Sequence, residues 1–175
     1  VTIRDALFED CHVESGRDSD SPGDWAYGGG LSVWSPGDLR IEDTNFTDTS
    51  ANTAYGQFPA FGGGIGVWQG EARLERVNFR STRAYSSGDA ATYAFGGGLG
   101  LFTGSRVPEG RDLTFTNTSA ASSSLDGRPY GGGVGMEGDL LVLTRARFER
   151  TQVDTKDTVT TSNADEFWAY GGGLA

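Results

Sequence analysis

The sequence predicts an all-β fold, a parallel β-solenoid with about one coil per repeat of 33–40 residues. Three observations lead there. A glycine triplet inside an apolar phrase occurs five times, starting at Gly28, Gly62, Gly96, Gly131 and Gly171. A second phrase, F-x-x-[T/C]-x-[A/V]-x-[S/T], recurs in phase with it from Phe8, Phe46, Phe79, Phe115 and Phe148. Helix signals are poor: there are 28 glycines, one Met and no sustained stripe of 3.6-residue period. β-Branched and aromatic residues alternate with period two instead, which is the pattern of strands.

The triplet phrases read WAYGGGLSVW, FPAFGGGIGVW, YAFGGGLGLF, RPYGGGVGME and WAYGGGLA. Their spacing is 34, 34, 35 and 40 residues, giving units of approximately 1–27, 28–61, 62–95, 96–130 and 131–170, with the next begun at 171–175. A unit of this size cannot bury a face alone, so neighbouring units must stack. The chain is thus expected to be a single solenoid segment, with three strand-like pieces per coil.

Taking Leu31, Ile65, Leu99, Val134 and Leu174 as inward, alternation sends Val33, Val67, Leu101 and Met136 inward as well. Ser32, Gly66, Gly100 and Gly135 then face out, followed by Trp34, Trp68, Phe102 and Glu137. The same parity turns Tyr27, Phe61, Phe95, Tyr130 and Tyr170 inward or into a corner. From the last glycine of a triplet to the Phe the distance is 16, 15, 17 and 15 residues, with alternating apolar residues just before the Phe, as in Leu39 and Ile41 or Ala72 and Leu74. Pro108 and Gly110 break the third of these pieces, in the unit 96–130, and predict a bulge. The stretch after each Phe phrase varies most in length and is polar, which marks the surface loop of each unit.

Stacking turns each position into a ladder. A buried aliphatic or aromatic rung contributes roughly 1.5–3 kcal/mol. The glycines serve the geometry, allowing a sharp turn and bare backbone beside large rings. Solenoids need caps at their ends. None is visible, so the chain reads as a piece of a longer solenoid or as one whose ends are covered by other segments.

The net charge of −10 argues against a nucleic-acid partner. Acidic stretches such as GRDSDSPGD and NADEF read as solvated loops. The glycine–aspartate nonapeptide of calcium-binding β-rolls is absent, and the sequence gives no cofactor or metal site. No apolar span is long enough to insert into a membrane as a helix. Cys11 stands where Thr49, Thr82, Thr118 and Thr151 stand in other units, an inward or corner place. His12, the only histidine, has no partner in the motif.

Three functional readings follow from the residues. Trp34, Trp68 and Phe102 form an outward aromatic strip suited to glycan or protein contacts. Asn45 in NFT and Asn117 in NTS are N-glycosylation sequons in non-equivalent repeat positions. The charged positions Arg40 over Arg73, Glu42 over Glu75 and Asp43 over Arg76 read as a mixed-charge, solvated sheet face rather than the clustered acids of a catalytic site. The outward ladder Thr47, Arg80, Thr116, Glu149 is too irregular for an ice-binding array.

The units also carry a family resemblance. Residues 28–31, 62–65, 96–99, 131–134 and 171–174 follow a GG-[small]-[I/L] motif with Gly as the small residue, and the five Phe positions follow F-x-x-N in part, with Thr or Cys where Asn is expected. In this the chain resembles the repeats of chlamydial polymorphic outer membrane proteins and of right-handed parallel β-helix proteins generally. The resemblance implies a right-handed parallel β-helix and an extracellular or cell-surface passenger, a structural or adhesive rod whose partners are other protein chains, glycans or further solenoid segments. Many right-handed β-helices are instead polysaccharide lyases or hydrolases. The alternative is therefore a non-catalytic part of a carbohydrate-active β-helix. No catalytic residue is assigned within this chain.

Overall fold

A computed structural model describes residues 1–15, 25–34, 38–54, 59–87, 93–123, 127–155 and 172–175. It is a parallel β-solenoid of about four turns. The acidic stretches GRDSDSPGD and NADEF, and the ladder positions Tyr170 and Gly171, lie outside the described residues.

Each coil contributes to four sheets rather than to three strand pieces. The first sheet is built on Thr2–Arg4, Leu7–Glu9, Asp38–Thr47, Glu71–Arg80, Arg106–Arg111, Thr114–Thr116, Leu140–Thr144 and Arg147–Glu149. The second holds His12–Ser15, Ser50–Thr53, Arg83–Ser86, Ser119–Ser122 and Gln152–Thr155. The third holds the short strands Ala26–Tyr27, Ala60–Phe61, Tyr93–Phe95 and Arg128–Tyr130, and the fourth Leu31–Trp34, Ile65–Trp68, Leu99–Leu101 and Val134–Met136. Val134 also bridges Leu174.

The pairing is parallel and the register matches the repeat. Phe46, Phe79 and Phe115 lie directly over one another, as do Ile65, Leu99 and Val134. The expected bulge is present: pairing shifts between Val107 and Gly110, around Pro108.

Two columns of left-handed residues shape the first sheet, and neither was anticipated. Asp5, Asp43, Arg76, Asp112 and Arg145 have φ of 49–57° and bend the long strand at its middle. Asp10, Asp48, Ser81, Asn117 and Arg150, with φ of 51–54°, turn the chain from the first sheet into the second. Asp and Asn tolerate this region because a short polar side chain bonds locally.

The interior divides into two lobes. One lies between the first and fourth sheets and contains the stacked Phe ladder, Phe8–Phe46–Phe79–Phe115–Phe148, with ring centroids 4.7–5.3 Å apart, packed against Ile41, Leu74, Ile65, Leu99 and Val67. The other lies between the second and third sheets and is made of alanines: Ala26, Ala51, Ala60, Ala84, Ala94 and Ala120. Between the lobes the coil is pinched at the glycine triplets.

Each glycine of a triplet answers a different constraint. Gly62 has φ of 60°, where a side chain is strained, and its N–H donates to the Phe95 carbonyl at 2.8 Å. A Cβ on Gly63 would lie 2.3 Å from the Arg83 nitrogen and 2.3 Å from the Gly97 carbonyl oxygen, because the start of the second strand crosses there. A Cβ on Gly64 would lie 2.6 Å from the Phe79 ring. At the pinch, the Thr49 hydroxyl donates to the Gly63 carbonyl at 2.7 Å. Thr49, Thr82 and Thr118 are fully buried in the expected inward ladder, and Cys11 in the first coil is half-buried.

Of the two places expected for the ladder aromatics, inward or in a corner, the structure shows the corner. Tyr27, Phe61, Phe95 and Tyr130 do not face the interior; the alanines beside them do. The left-handed glycine after each aromatic resets the alternation, so parity cannot be carried backwards from Leu31 across Gly28. The aromatics form their own ladder outside both lobes.

Candidate functional site: an aromatic corner and its groove

The outer aromatic ladder is regular. Tyr27–Phe61, Phe61–Phe95 and Phe95–Tyr130 stack with centroids 5.3, 4.7 and 4.8 Å apart and planes within 9°. Phe61 is fully buried, although it points away from the two lobes. What covers it is the outer face of the fourth sheet. A Cβ on Gly100 would lie 2.4 Å from the Gly62 nitrogen and 2.8 Å from the Phe95 carbonyl oxygen, and one on Gly135 would lie 2.4 Å from the Gly96 nitrogen. The third and fourth sheets therefore fold back against each other on their outer sides, making a re-entrant corner. Gly66, Gly100 and Gly135 are not an open floor beneath the exposed aromatics, as alternation alone suggests. They are buried, and their missing side chains let the corner close.

Trp34, Trp68 and Phe102 stand on the outer side of the fourth sheet as expected, and they touch. Trp34 and Trp68 have centroids 4.5 Å apart, and Trp68 and Phe102 5.1 Å apart at 72°. Trp34 is 62% exposed, while Trp68 and Phe102 are half-buried because they lean on the ladder: Trp68 reaches Tyr27 at 5.2 Å and Phe102 reaches Phe61 at 4.7 Å. Sequence reasoning missed Trp25. It stacks on Tyr27 at 5.6 Å and crosses the corner to Trp68 at 4.8 Å and Phe102 at 5.3 Å. The Tyr27 hydroxyl is buried here without a hydrogen-bond partner, and burial holds it far above the usual phenol range.

Towards the later coils the corner opens into a groove of about 480 Å³. Phe95 and Tyr130 contribute to it between two walls. One wall is the first position of the third-sheet phrase, Trp25, Pro59, Tyr93 and Arg128; the other is Phe102, Met136 and Glu137. The column Trp25, Pro59, Tyr93, Arg128 was legible as the variable residue two before each ladder aromatic, but nothing in the sequence places it opposite Glu137. Glu137 stands at the exposed rim of the groove, and the partial desolvation it meets there raises its carboxyl above the usual carboxylate range.

The first sheet carries the expected charges, with Arg40 paired to Arg73, Glu42 to Glu75, and Asn45 to Asn78 in register, but it is not solvated throughout: Glu42 is buried and ion-paired to Arg4 at 2.7 Å. Ion pairs join successive coils: Arg76 to Asp43, with Nη2–Oδ2 at 2.8 Å, and Arg145 to Asp112, with Nη2–Oδ2 at 2.6 Å. Each arginine lowers the pKa of its aspartate, chiefly through the hydrogen bond. Both sequon asparagines are exposed. Asn45 accepts a 2.9 Å hydrogen bond from Asn78 on the neighbouring strand, whereas Asn117 occupies the left-handed corner column. His12 Nδ1 lies 2.8 Å from the Ser50 hydroxyl.

In comparisons with known proteins, no family model, no curated protein and no solved structure matches this chain.

Proposed function

We propose that the chain is part of a structural or adhesive rod of an extracellular or cell-surface protein, a right-handed parallel β-helix that presents its outer aromatic corner to glycans or to other protein chains. The observation that carries this reading is the contiguous aromatic strip Trp34–Trp68–Phe102, open to solvent at Trp34. An exposed aromatic cluster costs solubility and contributes little to stability at its outer edge, so its presence argues for a contact surface. The stacked coils beneath hold that surface rigid, which lowers the entropy lost on binding. The repeat resemblance to polymorphic outer membrane proteins supports the same placement at a cell surface. Asn117, exposed on a corner, is the better glycan acceptor of the two sequons; Asn45 is held inside the long strand Asp38–Thr47. The reading is tested with chain-coated beads on glycan arrays and on protein-coated surfaces. Adhesion lost in Trp34→Ala/Trp68→Ala, with the thermal midpoint kept, supports it. Equal adhesion of parent and double variant overturns the role of the strip.

A further inference from the structure

We infer that the groove bounded by Tyr93, Phe102, Arg128 and Glu137 is a binding site for a neutral oligosaccharide; this deepens the glycan-contact reading above and rests on it.

The ladder rings, and the Arg128 guanidinium in the same groove, work against the most obvious competitor. An aromatic pocket beside a carboxylate suggests a cage for an organic cation, which binds over ring faces. Here the ladder rings spend their faces on each other: Phe95 and Tyr130 lie within 5° of parallel, 4.8 Å apart. Stacked along the solenoid axis, they present edges sideways, and ring edges carry the positive end of the quadrupole. A cation gains nothing from such edges. Oxygen acceptors are tolerated there.

The walls supply faces instead. Tyr93 is tilted 30° from Phe95, and Phe102 is turned 59° from Phe61 and 72° from Trp68. Rings turned out of the ladder plane offer apolar surface to the C–H face of a sugar ring. The polar groups are one of each sign, Arg128 and Glu137, and among the described residues neither side chain has a hydrogen bond or ion pair. Together they leave the groove without net charge, so it favours neither polyuronate nor polyamine. Both stand at the exposed rim, where a carboxylate and a guanidinium serve hydroxyls as acceptor and donor respectively. The volume of about 480 Å³ lies within the range of ligand sites. Its two walls step along the solenoid axis, from Tyr93 to Arg128 on one side and from Phe102 to Glu137 on the other, the direction in which a chain of sugars would extend.

The test is calorimetric titration of the chain with neutral hexose tetrasaccharides, matched oligouronates and matched amino-sugar oligomers. The expected result is binding of a neutral series, weakened about tenfold or more in Glu137→Gln and in Tyr93→Ala. Glu137→Gln changes one atom, so its loss of binding with an unchanged thermal midpoint reports the site and not the fold. Three results overturn the inference. One is preference for oligouronate abolished by Arg128→Ala, which marks an anion site. Another is neutral binding that survives Glu137→Gln and Tyr93→Ala but fails in Trp34→Ala. That places the sugar on the exposed strip and leaves the adhesive reading standing. The third is adhesion to protein-coated surfaces without binding of any oligosaccharide, which keeps the rod and removes the saccharide.

Discussion

The three glycines of a triplet are not interchangeable, and substitution should separate them. At Gly63 an added methyl meets backbone on two sides, Arg83 and Gly97, and backbone in a stacked coil cannot withdraw. Gly63→Ala should therefore destabilise by about 3 kcal/mol or more in denaturant melts, and Gly29→Val should damage folding for the same reason. Gly104 is the contrast. Its φ is 77°, but the nearest atom to an added Cβ is the Gln69 side chain at 3.3 Å, so Gly104→Ala should cost only the left-handed strain of about 1–2 kcal/mol. A second contrast lies in the buried threonine ladder. The Thr49 hydroxyl bonds the Gly63 carbonyl, whereas the hydroxyls of Thr82 and Thr118 are buried without a partner. Thr49→Val should cost about 1–3 kcal/mol, while Thr82→Val should be neutral or stabilising, since it removes an unsatisfied polar group. Equal losses at the two sites in thermal melts would contradict the hydrogen-bond assignment.

At the scale of elements, each coil carries two aromatic ladders on opposite sides of the same backbone. The inner one was readable because F-x-x-T fixes the phase of a strand that runs into a buried Thr. Phe79 is 1% exposed at the centre of that stack, so Phe79→Ala should lose about 3–5 kcal/mol, more than the same change at half-buried Phe8. The outer ladder was visible as a column of Tyr and Phe, but parity left it either inward or in a corner. Period-two alternation holds only while successive residues keep β dihedrals, and Gly28, Gly62, Gly96 and Gly131 do not. Its burial nevertheless makes it structural: Phe61→Ala should cost about 3 kcal/mol and, because Trp25 stacks on Phe61 at 5.9 Å, should also change the near-ultraviolet dichroism of the tryptophans. The groove was least legible. Tyr93, Phe102, Arg128 and Glu137 come from two columns that only the re-entrant corner brings together, and the corner depends on backbone contact at Gly100 and Gly135 that no pattern of side chains announces.

Across the whole molecule, coils meet mainly through apolar ladders and hydrogen-bonded backbone, with ion pairs added on the first sheet. Besides Arg4–Glu42 and Arg40–Glu75, two pairs lie at the left-handed column, where Asp43 meets Arg76 and Asp112 meets Arg145. They are exposed and screened, so their effect is small, but its sign is definite. The folded-state pKa of each aspartate is lowered, so its stabilisation is present above the ordinary carboxylate pKa and disappears as pH falls through the lowered value. Glu137 has the opposite sign. Its folded pKa is raised by partial desolvation, so its ionised form weakens the fold at neutral pH, and that penalty is relieved as pH falls through the raised value. Unfolding measured across acid to neutral pH should resolve the two. Asp43→Asn should be less stable than the parent at pH 7, with the gap closing only below the usual carboxylate range and shrinking in high salt. Glu137→Gln should be at least as stable as the parent at pH 7, with its gap closing at higher pH than that of Asp43→Asn and responding little to salt, because desolvation rather than a screened charge pair is its cause. A gap for Glu137→Gln that instead follows the Asp43→Asn profile would mean that Glu137 is held by a cation in the folded chain, and the uncharged balance of the groove would have to be redrawn.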